Sequence, residues 1–306
     1  ETGTLVYASG VRPGQVQVAW YDRQGEFIEP IADIMTTRPF PSLSPDETQV
    51  IICANADDGR EIWLFDTTNG NERRLTFEGL RWGEAGWHPD GKRIISSTEP
   101  TYDAFMITLD GSEPRRELGT GVLSTITSDG GTYLYSKPIM SGGFNFDIFA
   151  RPLDAPESEG RLLVESPAIE WFPLASPDGK YLLYVSEESG HQEIYATTYP
   201  GLVGRWQVSR GGGGWMRWRG DGKEIYYCTH QEMFAVSVDY ENGFTLGRPR
   251  KLFDRPSTDW SAAWPDGFDV TADGQRFVMV RPVSTGEDEQ PEIVVVQNWF
   301  AEFDGK

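Results

Sequence analysis

Apolar residues in this chain come in short runs, four to six long, and nearly every run is bracketed by Gly, Pro, Asp, Ser or Thr. That is the pattern of buried strands joined by tight turns. The clearest unit starts at Ala175-Ser176-Pro177-Asp178-Gly179-Lys180 and continues as Tyr181-Leu182-Leu183-Tyr184-Val185-Ser186. A polar connection, Glu187 to Gln192, then leads into Glu193-Ile194-Tyr195-Ala196. Pro presets φ, Asp accepts nearby backbone N–H groups and Gly tolerates positive φ, so Pro177-Asp178-Gly179 predicts a turn opening an antiparallel hairpin. Helices are nearly absent; Trp299 to Phe303 is the one segment that would make a final turn.

The unit repeats. Ser44-Pro45-Asp46-Glu47 precedes Val50-Ile51-Ile52-Cys53, and His88-Pro89-Asp90-Gly91 precedes Arg93-Ile94-Ile95-Ser96. Weaker copies centre on Asp129, Asp221 and Asp273, which puts the turn aspartates 39 to 52 residues apart. Four short strands with their turns fill such a period, and repeats of this length predict an all-β fold, a β-propeller of four-stranded antiparallel blades. One domain over 1–306 is expected, with repeats at about 1–39, 40–83, 84–121, 122–170, 171–214, 215–265 and 266–306. Counting both partial end repeats favours seven blades, with six as the runner-up. The first repeat lacks its opening strand: Thr4 to Tyr7 reads as a second strand, Val16 to Tyr21 as a third and Glu26 to Ile31 as a fourth. Its missing strand is expected upstream or from another part of the chain.

Composition narrows function. A formal charge of −20 repels phosphate backbones and anionic membranes, so nucleic acid is not an expected partner. No apolar stretch approaches the roughly 20 residues that span a bilayer, so no membrane insertion is expected of this fragment. No signal peptide is visible at Glu1, and one lost upstream stays an open alternative. Cys53 and Cys228 occupy equivalent second strands of non-adjacent repeats, so they are expected to be small core residues rather than a disulfide.

Catalytic signatures are missing. There is no G-x-S-x-G elbow, no kinase Gly-rich loop followed by a strand lysine, and no H-R-D or D-F-G. His88, His191 and His230 fall in different repeats, so no metal and no cofactor are expected. The turn aspartates, a blade apart, cannot share one ion and are read as turn caps. Gly211 to Gly214 lacks the helix and Lys-Ser/Thr of a phosphate loop and is read as a flexible connection.

One constellation suggests binding. The connections from a fourth strand to the next first strand share one face of a propeller and are rich in Trp, Arg and Glu. Arg81, Trp82, Glu84, Glu170, Trp171, Phe172, Trp215, Arg217 and Trp260 are the candidate ligand-binding residues, flanked by Arg38, Phe40, Arg210, Asp259 and Trp264. Rigid aromatics and Arg are enriched at binding hot spots. Wedging between neighbouring blades is the alternative role for each tryptophan. Trp82, Trp171, Trp215 and Trp260 are expected to ring one opening, with Trp171 the strongest candidate. The acids there would select against anions and favour planar or cationic groups or a sugar face.

The S-P-D-G turns, the Glu61-Ile62-Trp63-Leu64-Phe65-Asp66 strand and Arg73-Arg74-Leu75-Thr76 resemble the TolB-like, WD-like family of bacterial propellers. Gly3-Thr4-Leu5-Val6-Tyr7, the run Trp206-Gln207-Val208-Ser209 with Gly211 to Gly214, and Asn298-Trp299-Phe300 are similar to the propeller region C-terminal to bacterial serine/threonine kinase domains. The resemblance implies a non-catalytic sensor or protein-interaction propeller, monomeric, periplasmic or otherwise extracytoplasmic, taking a protein or peptide segment or a carbohydrate. It transfers no catalytic residue. A propeller lyase or lactonase with a metal or carboxylate site at the channel mouth is the alternative.

Overall fold

The computed structural model describes residues 4–9, 16–33, 40–56, 59–139, 145–155, 158–256, 267–283 and 292–297. Strands account for all the regular structure in them, and no helix among these residues is long and apolar enough to cross a membrane. Six groups of four principal strands, called sheets I to VI, follow one another among the described residues, and a single parallel bridge from Arg60 to Arg81 joins I and II into one eight-stranded sheet. Sheet I holds Ser42–Leu43, Gln49–Ala56, Gly59–Asp66 and Glu72–Arg74; sheet II holds Arg81–Trp87, Arg93–Glu99, Asp103–Thr108 and Arg116–Thr120. Sheet III holds Val122–Ile126, Thr132–Ile139, Asn145–Pro152 and Arg161–Val164; sheet IV holds Glu170–Ala175, Tyr181–Ser186, Glu193–Thr198 and Trp206–Gln207. Sheet V holds Gly214–Trp218, Glu224–Cys228, Glu232–Asp239 and Arg250–Asp254, with Thr245–Leu246 as a further short strand on its third.

Sheet VI joins the two ends of the chain. Its order is Asp269–Val270, Arg276–Pro282, Val16–Asp22 and Phe27–Pro30, so the first and last repeats of the sequence share one sheet. The strands missing from the first repeat are supplied by the C-terminal region. Thr4–Ser9, of which Thr4 to Tyr7 is expected as a second strand, pairs among the described residues with Glu292–Gln297 alone. The first and last repeats, counted separately in the sequence, thus contribute to one sheet of the described residues.

Alternation along each second strand explains the packing. Ile51 and Cys53 of sheet I pack on Trp82, Ile94 and Phe105 of sheet II, while Val50 and Ile52 pack on Val18, Trp20 and Val278 of sheet VI. Leu182 and Tyr184 face sheet III, whereas Leu183 and Val185 face sheet V. Successive side chains point to opposite faces and both faces are covered, so these strands read as unbroken apolar runs. Two more clusters join sheets II to III and V to VI, so the interfaces follow in cyclic order. Leu182, Tyr184, Ile194, Ile62, Leu64, Ile94 and Phe277 are all buried, as expected. Each contributes about 1.5–3 kcal/mol. Cys53 and Cys228 are buried and not joined in a disulfide.

The turn reading holds at atomic level. Gly179 N donates to Ser176 O at 2.9 Å, and Asp178 Oδ1 accepts from Ser176 Oγ and Lys180 N at 2.6 and 3.1 Å. The Asp129 and Asp273 turns repeat this, with threonine as the hydroxyl donor. Glycine takes the final turn position in five copies at φ 66 to 74°, and Glu47 occupies it in the sixth at φ 63°. The carboxylate of Glu47 also accepts from Ala272 N at 2.7 Å, tying sheet I to sheet VI.

Candidate functional site

The first strands of all six sheets converge on one cavity of about 240 Å³. Ser42, Glu84 to Trp87, Thr125 and Ile126, Phe172 to Leu174, Trp215 to Arg217 and Asp269 line it, with Phe40 and Pro41 at the entry to the first strand of sheet I. Bulges shape the wall. Register shifts fall between Trp82 and Ala85, Val122 and Thr125, Trp171 and Leu174, and Gly214 and Met216, one in the inner strand of each of sheets II to V. A bulge inserts one residue and re-aims the side chains around it. Phe172 and Trp215 lie inside their bulges and share a left-handed backbone, φ 54° and 42°. Non-glycine residues there carry strain of about 1–3 kcal/mol, which must be held by their surroundings.

Register therefore divides the predicted residues. Trp215 is equivalent to Phe172, not to Trp171, because Trp82 and Trp171 precede their bulges. Trp82 is fully buried edge-on to Phe105, with ring centroids 5.7 Å apart. Trp171 is 4 % exposed and stacks on Phe146 at 6.2 Å. Both are wedges between sheets rather than parts of an open ring. Arg81 is exposed, 3.8 Å from Glu99, and neither it nor Glu170 lines the cavity. Trp260, with Arg38, Asp259 and Trp264, lies outside the described residues. The cavity brings together Glu84, Phe172, Trp215, Arg217 and Phe40.

Trp215 is fixed on three sides. Its Nε1 donates to Phe268 O at 2.8 Å, Phe40 stacks on it at 5.0 Å and Phe172 meets it edge-on at 4.9 Å. Arg217 lies over the same indole, 5.4 Å from a ring centroid, and its Nε donates to Asp269 Oδ1 at 3.0 Å. Asp269 also accepts from Val270 N at 2.9 Å and, through Oδ2, from Leu43 N at 2.8 Å. One carboxylate thus joins the inner strands of sheets V, VI and I. The sequence carried too weak a signal for Asp269: an acid inside Gly267-Phe268-Asp269-Val270 is inward-facing only once register is known.

Two buried glutamates of sheet IV show opposite electrostatics. Burial pushes the Glu170 carboxyl up, although Ser166 and Ser186 hydroxyls donate to Oε1 at 2.6 and 3.0 Å; its buried Oε2 has no partner among the described residues. Burial would raise Glu193 too, but hydrogen bonds from Ser209 Oγ, Gly212 N, His191 and Gly211 N hold it below the ordinary range. Gly211 and Gly212 donate at 2.9 and 3.0 Å with φ 80° and 105°, so the glycine run expected to be a flexible connection is, in these two residues, a cradle for a buried carboxylate. Anchored this way, it fixes the entry to the strand that carries Trp215. Glu61 does the same in sheet I, accepting from Thr76 Oγ1 and from Gly79 N at 2.8 Å.

His88 is buried against Gly130 O, His191 contacts Glu193 and His230 is exposed. Among the described residues no three His, Cys, Asp or Glu side chains come together to hold a metal ion.

No family model matches the chain. An uncharacterized protein of Agrobacterium fabrum (strain C58) is 27% identical over 157 residues, which are 48% of this chain and 50% of that protein, so the chain spans about half the length of this curated relative. Among solved structures, a TolB candidate from Agrobacterium tumefaciens superposes with TM-score 0.68 at 14% identity, covering 89% of this chain and 99% of that one. TolB from Acinetobacter baumannii gives 0.53 at 15% identity over 94% and 67%. An oligogalacturonate lyase in complex with manganese gives 0.55 at 12% identity over 89% and 76%. At such identities the likeness is one of fold: a TolB-like β-propeller.

Proposed function

We propose that the six sheets are the blades of one closed ring, and that the ring is a non-catalytic binding propeller taking a segment of a protein partner at its central channel. The observation that carries this reading is the cavity on which all six inner strands converge, with Phe40, Phe172, Trp215 and Arg217 in its wall. Strained bulge residues and a held arginine are features that packing alone does not require. The cyclic order of the six apolar interfaces supports closure. A sensor role in an extracytoplasmic signalling or envelope protein, of the kind found beside bacterial kinase domains, rests on the sequence resemblance. So does a monomeric state. The two TolB-type superpositions fit a binding role, and the lyase superposition is what the enzyme alternative draws on.

The test is capture of a partner by the immobilised intact chain from bacterial extract, repeated with Phe172→Ala and with EDTA. Capture lost in the variant and insensitive to EDTA is the expected result. EDTA-sensitive melting with stoichiometric metal surviving dialysis would favour the enzyme instead.

A further inference from the structure

The polar part of the channel wall has a definite chemical preference. Arg217 Nε is engaged by Asp269, and Nη1 donates to Met216 O at 2.9 Å. Its Nη2 makes no hydrogen bond among the described residues. Asp269 does not depend on the guanidinium alone, since Leu43 N and Val270 N also donate to it. The cation is thus oriented by an acid that two backbone groups already stabilise. It lies on the Trp215 indole at the edge of a cavity whose other walls include Phe40, Pro41, Phe172 and Pro173.

We propose that this wall is a carboxylate site: Arg217 Nη2 donates to the carboxylate of a ligand whose adjoining flat apolar group packs against the part-exposed rings of Phe40 and Phe172. The inference rests on the channel being the binding site and specifies what enters it. With Nε and Nη1 engaged, Nη2 offers a single charged donor in a fixed plane, and a charge-assisted bond is roughly twice as strong as a neutral one. Glu84 and Asp269 in the same wall make a dianion such as phosphate costly to bring in, whereas a monoanion paired with Arg217 is tolerated. The expectation had Glu84, Glu170 and Asp259 select against anions; Glu84 lines the cavity, Glu170 is buried away from it and Asp259 lies outside the described residues. Such a carboxylate has two sources, a peptide chain ending in an aromatic residue or a free aromatic acid.

The experiment uses the whole chain with phenylacetate, phenylacetamide, and the tripeptide Gly-Gly-Phe as free acid and as amide, binding being followed by ligand-detected NMR. Acids binding at least tenfold more tightly than their amides, with the preference abolished in Arg217→Gln, are expected. Tighter binding of the tripeptide than of phenylacetate identifies a chain terminus; the reverse identifies a free acid. Arg217→Lys keeps the charge but not the planar group that Asp269 and Met216 O hold in place, so it should lose most of the preference, and it decides the matter if Arg217→Gln melts early. Equal binding of acids and amides overturns the carboxylate site while leaving the channel as a binding site. No binding by any probe overturns the carboxylate site, and partner capture through Phe172 then decides separately whether the channel binds.

Discussion

Trp171 and Phe172 are neighbours in sequence, with ring centroids 6.0 Å apart, and differ in what their side chains face. One is sealed against Phe146 between sheets; the other, one step on and inside a bulge, lines the cavity with its backbone at φ 54°. The same division separates Trp82 from Trp215. A strand's period of two assigns faces only while the register is unbroken, and one inserted residue re-aims the side chains beyond it. Residue type is therefore a poor guide to role on these inner strands, and position relative to the bulge is a good one.

The sharpest way to break this comparison is truncation on either side of the bulge. Trp171→Ala should cost about 3–5 kcal/mol, seen as an earlier denaturant midpoint, because it empties a packed interface. Partner capture per folded molecule should stay unchanged. Phe172→Ala should do the reverse, weakening capture by about 2 kcal/mol, measured by titration, with a much smaller shift in melting. If the two effects are interchanged, the bulge does not decide role.

Glu193 and Glu170 extend the contrast to charge. The folded-state carboxyl of Glu193 lies below its ordinary value of 4.5, so its stabilisation is present above that pH and is lost as pH falls through the folded value. Glu170 lies above 4.5, so its stabilising contribution is present below that pH and is lost as pH rises through the folded value. Glu193→Gln should cost on the order of 1–3 kcal/mol at neutral pH, with the deficit shrinking in acid. Glu170→Gln should gain stability relative to wild type as pH rises from 4 to 7, followed by urea denaturation at each pH. The smallest effect is expected at Glu47→Gly, where relief of positive φ opposes loss of the bond to Ala272 N; the unfolding free energy, from the same urea titration, should change by less than about 0.5 kcal/mol.

Much of the fold was legible because turn chemistry is local. The Ser/Thr-x-Asp-Gly turns and the apolar second strands gave the sheets, their order and the buried positions Leu182, Tyr184 and Phe277. How the ends meet was not legible, since the pairing of Val16–Asp22 with Arg276–Pro282 spans the chain and has no local signature. The site was half legible. Arg217 and Trp215, singled out by composition, line the cavity; Trp82 and Trp171, singled out with them, are packed between sheets in the wedging role kept as their alternative, and Asp269, which lines the cavity, is not singled out by composition. Each of these differences traces to register.

A label in the channel tests the central claim most directly. Thr125 lines the cavity from the inner strand of sheet III, and Thr125→Cys can be alkylated with a bulky maleimide. Cys53 and Cys228 are buried, and burial pushes the Cys53 thiol up to about 12, so the new cysteine is the one that reacts. The account predicts that the alkylated protein keeps its melting curve and loses its captured partner, while the unalkylated variant binds like wild type. Undiminished capture by a fully alkylated, folded protein would place the binding surface elsewhere.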